Sequence, residues 1–176
     1  MQFSEKTLKK EYVYKGKILN LRKDQVELIN GQTAQREIVE HSGGSCVLCV
    51  KDDCVYMVKQ FRYAYNKEMW EIPAGKLNQG EDPMQTAKRE LEEEAGLKAT
   101  KMKLLYEVYP SPGYTDEIIR IYQALEWEQS QIHLDEDEFL TGKWIPISEV
   151  MQMIASGEIK DGKTLIALLG TNKTNR

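Results

Sequence analysis

Long apolar runs are missing from this chain. No stretch approaches the roughly 18 residues that a membrane-spanning helix requires, so no transmembrane segment is expected. The first ten residues, Met1 to Lys10, are polar and charged where an export signal would carry an apolar core, which makes the cytoplasm the expected compartment. A basic excess is missing too. Lys and Arg number 24 against 28 Asp and Glu, for a formal net charge of −4. A protein that tracks a nucleic-acid backbone neutralises phosphates with clustered cations, so neither nucleic acid nor membrane is an expected partner. A small anionic substrate in a locally basic site stays open. Cysteine is scarce and odd in number: Cys46, Cys49 and Cys54. Without an export signal they should stay reduced. Cys46 and Cys49 have the spacing of a zinc pair, but they lie in the β-branched run Ser45 to Val50. Residues three apart on a strand face opposite ways, so the pair is expected as core thiols and not as a metal site. Internal repeats, low-complexity tracts and a Pro/Gly-rich linker are also lacking.

What is present suits one folded unit. A chain of 176 residues can bury a real core and leaves little room for two domains, which commonly run to about 100 to 150 residues each. Strands are predicted at Glu11 to Tyr14, Ile18 to Glu27 and Ala34 to Glu40, with Asn30-Gly31 as a tight turn. Ser45 to Val50 and Val55 to Gln60 flank Lys51-Asp52-Asp53 as a second hairpin, and Trp70 to Pro73 reads as a short strand running into Ala74-Gly75. Lys103 to Tyr109, Ile118 to Glu126 and Gly142 to Ile147 are further strands, and Ser148 to Ala155 and Thr164 to Leu169 are helices. Strands interleaved with helices predict a mixed sheet covered by helices, an α/β or α+β sandwich. Residues 1–42 form a β-rich N-terminal extension and 43–176 the main domain, within one compact unit.

The best-punctuated element is a helix after the Ala74-Gly75 loop. Asp82 is its N-cap, Pro83 its first position, Gln85 completes a capping-box pattern and Gly96 stops it. At 100° per residue, Met84, Ala87, Leu91 and Ala95 share one stripe, and Glu90, Glu93 and Glu94 an adjacent one. Carboxylates three and four apart repel by about 0.2–0.5 kcal/mol per pair. Two readings stand for the acidic stripe: a solvated face, or oxygen ligands for a hard dication such as Mg²⁺.

Spacing beyond the helix separates them. Gly75 is followed after five residues by Glu81, after seven more by Arg89-Glu90-Leu91, and then by Glu93-Glu94 and Gly96-Leu97. Seven fixed identities and two aliphatic positions coincide by chance only about once in 10⁸ starting points. The pattern resembles the Nudix box at every defined position. That resemblance implies an α/β/α sandwich and hydrolysis of a nucleoside diphosphate linked to another moiety. It also implies two or more Mg²⁺ or Mn²⁺ ions, with Glu90, Glu93, Glu94 and the Ala74 carbonyl as ligands. Glu93 is at the same time a catalytic residue, Arg89 orients the glutamates, and Glu81 steadies the loop–helix unit. Gly75 allows close approach and Gly96 ends the helix.

Sixteen residues after Gly96 stands Pro112, within Tyr109-Pro110-Ser111-Pro112-Gly113-Tyr114. Taken alone, Ser-Pro-Gly is turn chemistry. At this offset it is similar to the signature of the ADP-ribose pyrophosphatase branch. The N-terminal extension, Arg36 to Glu40, Val58 to Arg62 and Trp70 to Gly75 extend the likeness over most of the chain. The branch implies ADP-ribose as substrate, cut to AMP and ribose 5-phosphate, and a homodimer whose N-terminal strands complete the partner's site. Pro112, Gly113 and Tyr114 then belong to the substrate site. Arg36 and Arg62 are the cations to set against the phosphates, since a guanidinium gives phosphate two parallel donors; each also reads as a surface arginine. Glu71 is assigned to ribose or base, or else to capping its strand. Tyr14, Tyr65, Trp70 and Tyr114 are the rings on which an adenine would stack, with a core role the stronger alternative for Trp70. In the acidic run Leu134 to Phe139 the branch places a closing loop. Glu136 matches its general base and Glu138 a contact to the metal and its water, against a solvated loop on charge alone. The competing substrates are other nucleoside diphosphate sugars such as GDP-mannose, then oxidised nucleoside triphosphates. The competing class is a nucleotide-binding regulator without turnover, which the intact glutamates disfavour.

Overall fold

The structure, a computed structural model, describes residues 3–136 and 138–171. Two compact units divide it. The described residues of Met1–Gly43 join those of Tyr109–Ile118 in one unit, and those of Gly44–Val108 and Ile119–Arg176 form the other.

The smaller unit is a three-stranded antiparallel meander of β1 (Lys6–Lys15), β2 (Leu19–Glu27) and β3 (Thr33–His41). The β2–β3 turn closes at Gly31, whose φ of 78° lies in the left-handed region that a residue without Cβ enters freely. β1 extends well beyond Glu11 to Tyr14 at its N-terminal end: its mostly polar first half shows no alternation to betray it, yet Lys6, Thr7, Lys9 and Lys10 pair with β2. Every residue of β1 is exposed. Residues 109–118 run beside β3. There the Val39 N–H donates to the Tyr114 carbonyl at 2.7 Å, and the Asp116 N–H donates to the Val39 carbonyl at 3.2 Å.

The larger unit is a seven-stranded mixed sheet. It contains β4 (Gly44–Lys51), β5 (Cys54–Arg62), β6 (Lys67–Glu71), β7 (Ala74–Lys76), β8 (Leu97–Val108), β9 (Ile119–Gln129) and β10 (Leu140–Pro146). The order is β10-β5-β4-β9-β8, with β6 on β5 and β7 on β4. β4 and β9 run parallel; the remaining pairs are antiparallel. The β4–β5 turn places Asp52 and Asp53 at φ 50° and 57°, as the hairpin reading of Lys51 to Asp53 requires. β8 begins at Leu97, directly after the helix stop, because Leu97 and Ala99 are buried between exposed neighbours. The Lys and Thr residues there dilute the apolar signal. The strand expected at Trp70 to Pro73 ends at Glu71, the last residue of β6, and Ala74-Gly75, expected as a loop, open β7, with a break at Ile72-Pro73. Pro73 has no N–H to continue a ladder, while its carbonyl accepts from Val47 N–H at 2.9 Å.

Alternation along β4 assembles two cores. Cys46 and Leu48 point into a cluster with Met57, Ile72, Ile121 and Ile145, covered by α2 (Ile147–Ala155) and α3 (Gly162–Thr171). Val47 and Cys49 point the other way, into a cluster with Val58, Tyr122 and the apolar face of α1 (Pro83–Ala95). Helices on both faces of a mixed sheet make the α/β/α sandwich. Cys46 and Cys49 are free, buried and on opposite faces, and burial pushes both thiols up to about 12. Cys54 is only half-buried, since it stands at the β5 end beside the turn. No helix among the described residues is long and apolar enough to cross a membrane.

Candidate active site

The site is built on α1 and the strand–turn that precedes it. Asp82 is the N-cap: its Oδ1 accepts from Met84 N–H at 3.0 Å and Gln85 N–H at 3.2 Å. Pro83 holds the first helical position, and Gly96 ends the helix with φ 62° and its N–H on the Glu92 carbonyl. These caps set the rotation of α1 over β4 and β7, and that rotation decides where each glutamate goes.

The acidic stripe does not lie beside the packing face; two of its members lie within it. Glu90 and Glu94 are 6% and 2% exposed, among Thr86, Ala87, Leu91 and Ala95. Glu94 Oε2 accepts from Ala74 N–H at 3.0 Å. Glu90 lies so close on Gly75 that a Cβ there would overlap its carboxylate. Glycine at 75 is thus a packing requirement of Glu90. Burial pushes the Glu90 carboxyl up to about 7 despite Arg89, and the Glu94 carboxyl up to about 8 despite the Ala74 N–H. The charge of Glu138 acts on both in the same direction.

Glu93 differs from its neighbours. It is half-exposed and drawn to Arg89, whose Nη1 donates to Glu93 Oε2 at 2.8 Å and contacts Glu90 Oε1 at 2.7 Å. Arg89 Nε donates to Glu81 Oε1 at 3.0 Å. That hydrogen bond is the chief reason the Glu81 carboxyl falls to about 2. Arg89 therefore holds Glu81, Glu90 and Glu93 together. With Glu93 turned to it, no three acidic, histidine or cysteine side chains among the described residues converge as a ready metal cage. The donor set still fits a hard dication. Its atoms are carboxylate oxygens, two of them are buried with their charge poorly compensated, and the Ala74-Gly75 backbone lies against them.

A second charged group stands where β5 ends. Arg62, at the end of β5, donates from Nε to Glu71 Oε1 at 2.7 Å and from Nη2 to Glu71 Oε2 at 2.6 Å. Glu71 is 1% exposed and also accepts from Lys163. Burial pushes the Glu71 carboxyl up, but Arg62 and Lys163 outweigh it and hold it below the usual carboxylate range. Arg62 and Glu71, assigned separately to phosphate and to ribose or base, are thus each other's partners. Lys163 and Asp161 are absent from the sequence-based assignment. The only signal for them was a charged pair opening an otherwise apolar helix.

The remaining assignments fall elsewhere. Glu136 and Glu138 are exposed, and Glu138 N–H donates to the Asp135 carbonyl at 3.0 Å. Arg36, Pro112, Gly113 and Tyr114 belong to the smaller unit. There Arg36 Nε donates to Glu5 at 2.9 Å, and Ser111 closes a turn by accepting from Tyr114 N–H at 3.2 Å. Tyr14, Tyr65 and Tyr114 are exposed rings. Trp70 is half-buried against the core, with Lys143 5.1 Å and Lys59 5.8 Å from its ring centre.

Two buried helix carboxylates, Glu90 held by Arg89 and Glu94 by the Ala74 N–H, seated on the Ala74-Gly75 backbone inside an α/β/α sandwich, define the class. The chain belongs to the Nudix family: residues 39–168 match the NUDIX domain, and residues 5–39 match the nucleoside diphosphate sugar hydrolase N-terminal domain. It is 42% identical over 167 residues to the ADP-ribose pyrophosphatase of Bacillus subtilis, covering 93% of this chain and 90% of that protein. It is 44% identical over 169 residues to the methanol dehydrogenase activator of Bacillus methanolicus, covering 94% and 91%. To the ADP-ribose pyrophosphatase of Mycobacterium tuberculosis it is 36% identical, covering 94% and 82%. A crystal structure of an ADP compounds hydrolase superposes with a TM-score of 0.84 at 19% identity over 97% of this chain and 93% of the other, a likeness of fold.

Proposed function

We propose that this protein hydrolyses ADP-ribose to AMP and ribose 5-phosphate with Mg²⁺, or Mn²⁺ in its place, two or more ions serving each site. The observation that carries the hydrolase reading is the burial of Glu90 and Glu94 on the Ala74-Gly75 backbone with too little positive charge to match them. In their ionised form such oxygens need a cation beside them, and without one burial drives both carboxyls toward the neutral form. Glu90, Glu93, Glu94, the Ala74 carbonyl and Glu138 would hold the ions. When bound, these ions supply neutralisation of the pyrophosphate charge and a lowered pKa for water.

The protein's own groups divide the remaining work. Glu136 takes the proton of the attacking water as its oxygen bonds to phosphorus; the bond from that phosphorus to the bridging oxygen breaks, and the second phosphate leaves with the bridging oxygen. Arg89 fixes Glu93. Arg62 turns its guanidinium to a phosphate, with Glu71 behind it, and Arg36, Pro112, Gly113 and Tyr114 take up the rest of the nucleotide. The fully exposed β1 supports a homodimer, and the charge and hydropathy pattern support a cytoplasmic site of action.

ADP-ribose is preferred to GDP-mannose on the relatives. The two ADP-ribose pyrophosphatases are 36–42% identical over 93–94% of the chain, whereas the GDP-mannose pyrophosphatase of Yersinia enterocolitica is 34% identical over 79%. Incubation with ADP-ribose and Mg²⁺, followed by chromatography of the products, is expected to give AMP and ribose 5-phosphate in equal amounts. GDP-mannose cleaved faster than ADP-ribose in the same panel would move the substrate to another nucleotide sugar. Binding without turnover in saturating Mg²⁺ would make the protein a nucleotide-binding regulator.

A further inference from the structure

Behind Arg62 the charges form a closed ring. Glu71 Oε1 accepts from Arg62 Nε, and Glu71 Oε2 accepts from both Arg62 Nη2 and Lys163 Nζ. Lys163 also donates to Asp161 Oδ1 at 3.0 Å. The other oxygen of Asp161 accepts from the Thr164 hydroxyl at 2.6 Å and from Thr164 N–H at 3.1 Å. The Thr164 hydroxyl in turn accepts from Ile72 N–H at 3.0 Å, next in the chain to Glu71. The ring thus runs from Glu71 at the end of β6 to the start of α3 and back to Ile72, the residue after β6.

Arg62 is the most exposed charged member, and the Asp161 side chain is 16% exposed. The Glu71 side chain is 2% exposed and Lys163 12%, whereas Arg62 is 39% exposed. Among the described residues, Glu71 is the hydrogen-bonding partner of the Arg62 guanidinium, and Nη1 keeps its donors for something else. The charge of Glu94 also acts on Arg62, after those of Glu71 and Asp161.

A buried ion pair is a poor stabiliser, because desolvation offsets most of the attraction and apolar side chains of the same size often do as well. Packing alone gives no reason for an ammonium at 163. Geometry does. A carboxylate held by one arginine swings with it, but Lys163, itself tied through Asp161 and Thr164 to the Ile72 backbone, fixes the plane of Glu71. Both nitrogens that Arg62 gives to Glu71 are then fixed as well.

We propose that Lys163 is a positioning residue that acts through Glu71 to hold the Arg62 guanidinium ready for an anionic phosphate of the substrate. This rests on the assignment of Arg62 to the substrate made above. An arginine that binds ground state and transition state alike raises KM when it is lost, with little change in kcat. Steady-state kinetics on the full chain with ADP-ribose and Mg²⁺ would compare Lys163→Met, Arg62→Gln and the double variant. Lys163→Met is expected to raise KM about tenfold with kcat within about twofold, and to add less than about twofold in the Arg62→Gln background. Full losses that multiply in the double variant would overturn the proposal, since Lys163 would then act independently of Arg62.

Solvent exchange of the Arg62 Nε–H, followed by ¹⁵N NMR, needs no substrate. It is expected to quicken about tenfold in Lys163→Met, and unchanged exchange would overturn the proposal. Should Lys163→Met not fold, Asp161→Asn, which loosens the same ammonium, is expected to shift both readouts in the same directions. A wild-type protein inactive on ADP-ribose would remove only the substrate reading, because the exchange experiment still decides the role of Lys163.

Discussion

At the scale of the residue, the feature that matters most is a charge out of place. Glu94 is 2% exposed and, among the described residues, its hydrogen-bond donor is the Ala74 N–H. A glutamine there keeps the shape and an acceptor oxygen for Ala74 while removing the buried charge. Glu94→Gln is therefore expected to melt no lower than wild type in metal-free buffer at pH 8, to lose the stabilisation that added Mg²⁺ gives, and to hydrolyse ADP-ribose at least about 100-fold more slowly. Scanning calorimetry with and without Mg²⁺, beside a product assay, checks all three; wild-type turnover would dismiss Glu94 as a ligand. The position of this glutamate was legible in the sequence, through the spacing of Gly75, Glu81, Arg89 and Gly96. Its burial was not, because a helical wheel assigns every carboxylate to water and only the approach of Gly75 and Ala74 shows otherwise. The same gap explains Glu93: four residues from Arg89 on the helix, it could be read as the arginine's partner or as a third ligand, and rotamers decide that.

Among the elements, those with local punctuation were legible and those joined across the chain were not. Asp82, Pro83 and Gly96 mark the ends of α1 by chemistry acting within four residues, so its limits match the structure. The tie between β6 and α3 joins Glu71 to Lys163, 92 positions apart, and no periodicity carries that. Arg62 and Glu71 were read as two ligands of a substrate because nothing local shows that β5 and β6 pair with Arg62 opposite Lys67. Replacing Glu71 by Gln leaves two cations beside an uncharged amide, and breaking a buried ion pair costs about 3–5 kcal/mol. Urea denaturation at pH 7 is expected to show a loss of that order. The Glu71 carboxyl lies below its unfolded value of 4.5, so its contribution is complete above pH 4.5 and is lost as pH falls through the folded value. The gap between wild type and Glu71→Gln should accordingly close on acidification below pH 4.5. A gap that is constant from pH 7 to pH 3 would show that the loss comes from packing and not from charge.

For the whole molecule, the sandwich could be anticipated from strands alternating with helices, and the meander from Asn30-Gly31, but the assembly could not. β1 is exposed along all ten residues, and Leu8, Tyr12, Val13 and Tyr14 remain 45–60% exposed. If the chain is a homodimer, as proposed, apolar groups gathered on one strand in this way are the surface expected to be covered in it. Lys6, Lys9, Lys10 and Lys15 stand on the same strand, and lysines on an edge strand hinder the addition of a further strand. Burial of the side-chain face, not extension of the sheet, is thus the mode to expect. Sedimentation equilibrium at micromolar concentration is expected to give twice the chain mass of 20.3 kDa. Val13→Asp together with Tyr14→Asp would bury two carboxylates in that interface without partners, a cost of several kcal/mol for each ion that should shift the protein to monomer. Both residues are exposed in the single chain, so the isolated fold should tolerate the change and the circular-dichroism spectrum should be unaltered. If the N-terminal strands complete the partner's site, KM for ADP-ribose rises in step with the dissociation. A wild-type protein that sediments as a monomer would remove the dimer, and a dissociated variant with unchanged KM would confine the site to one chain.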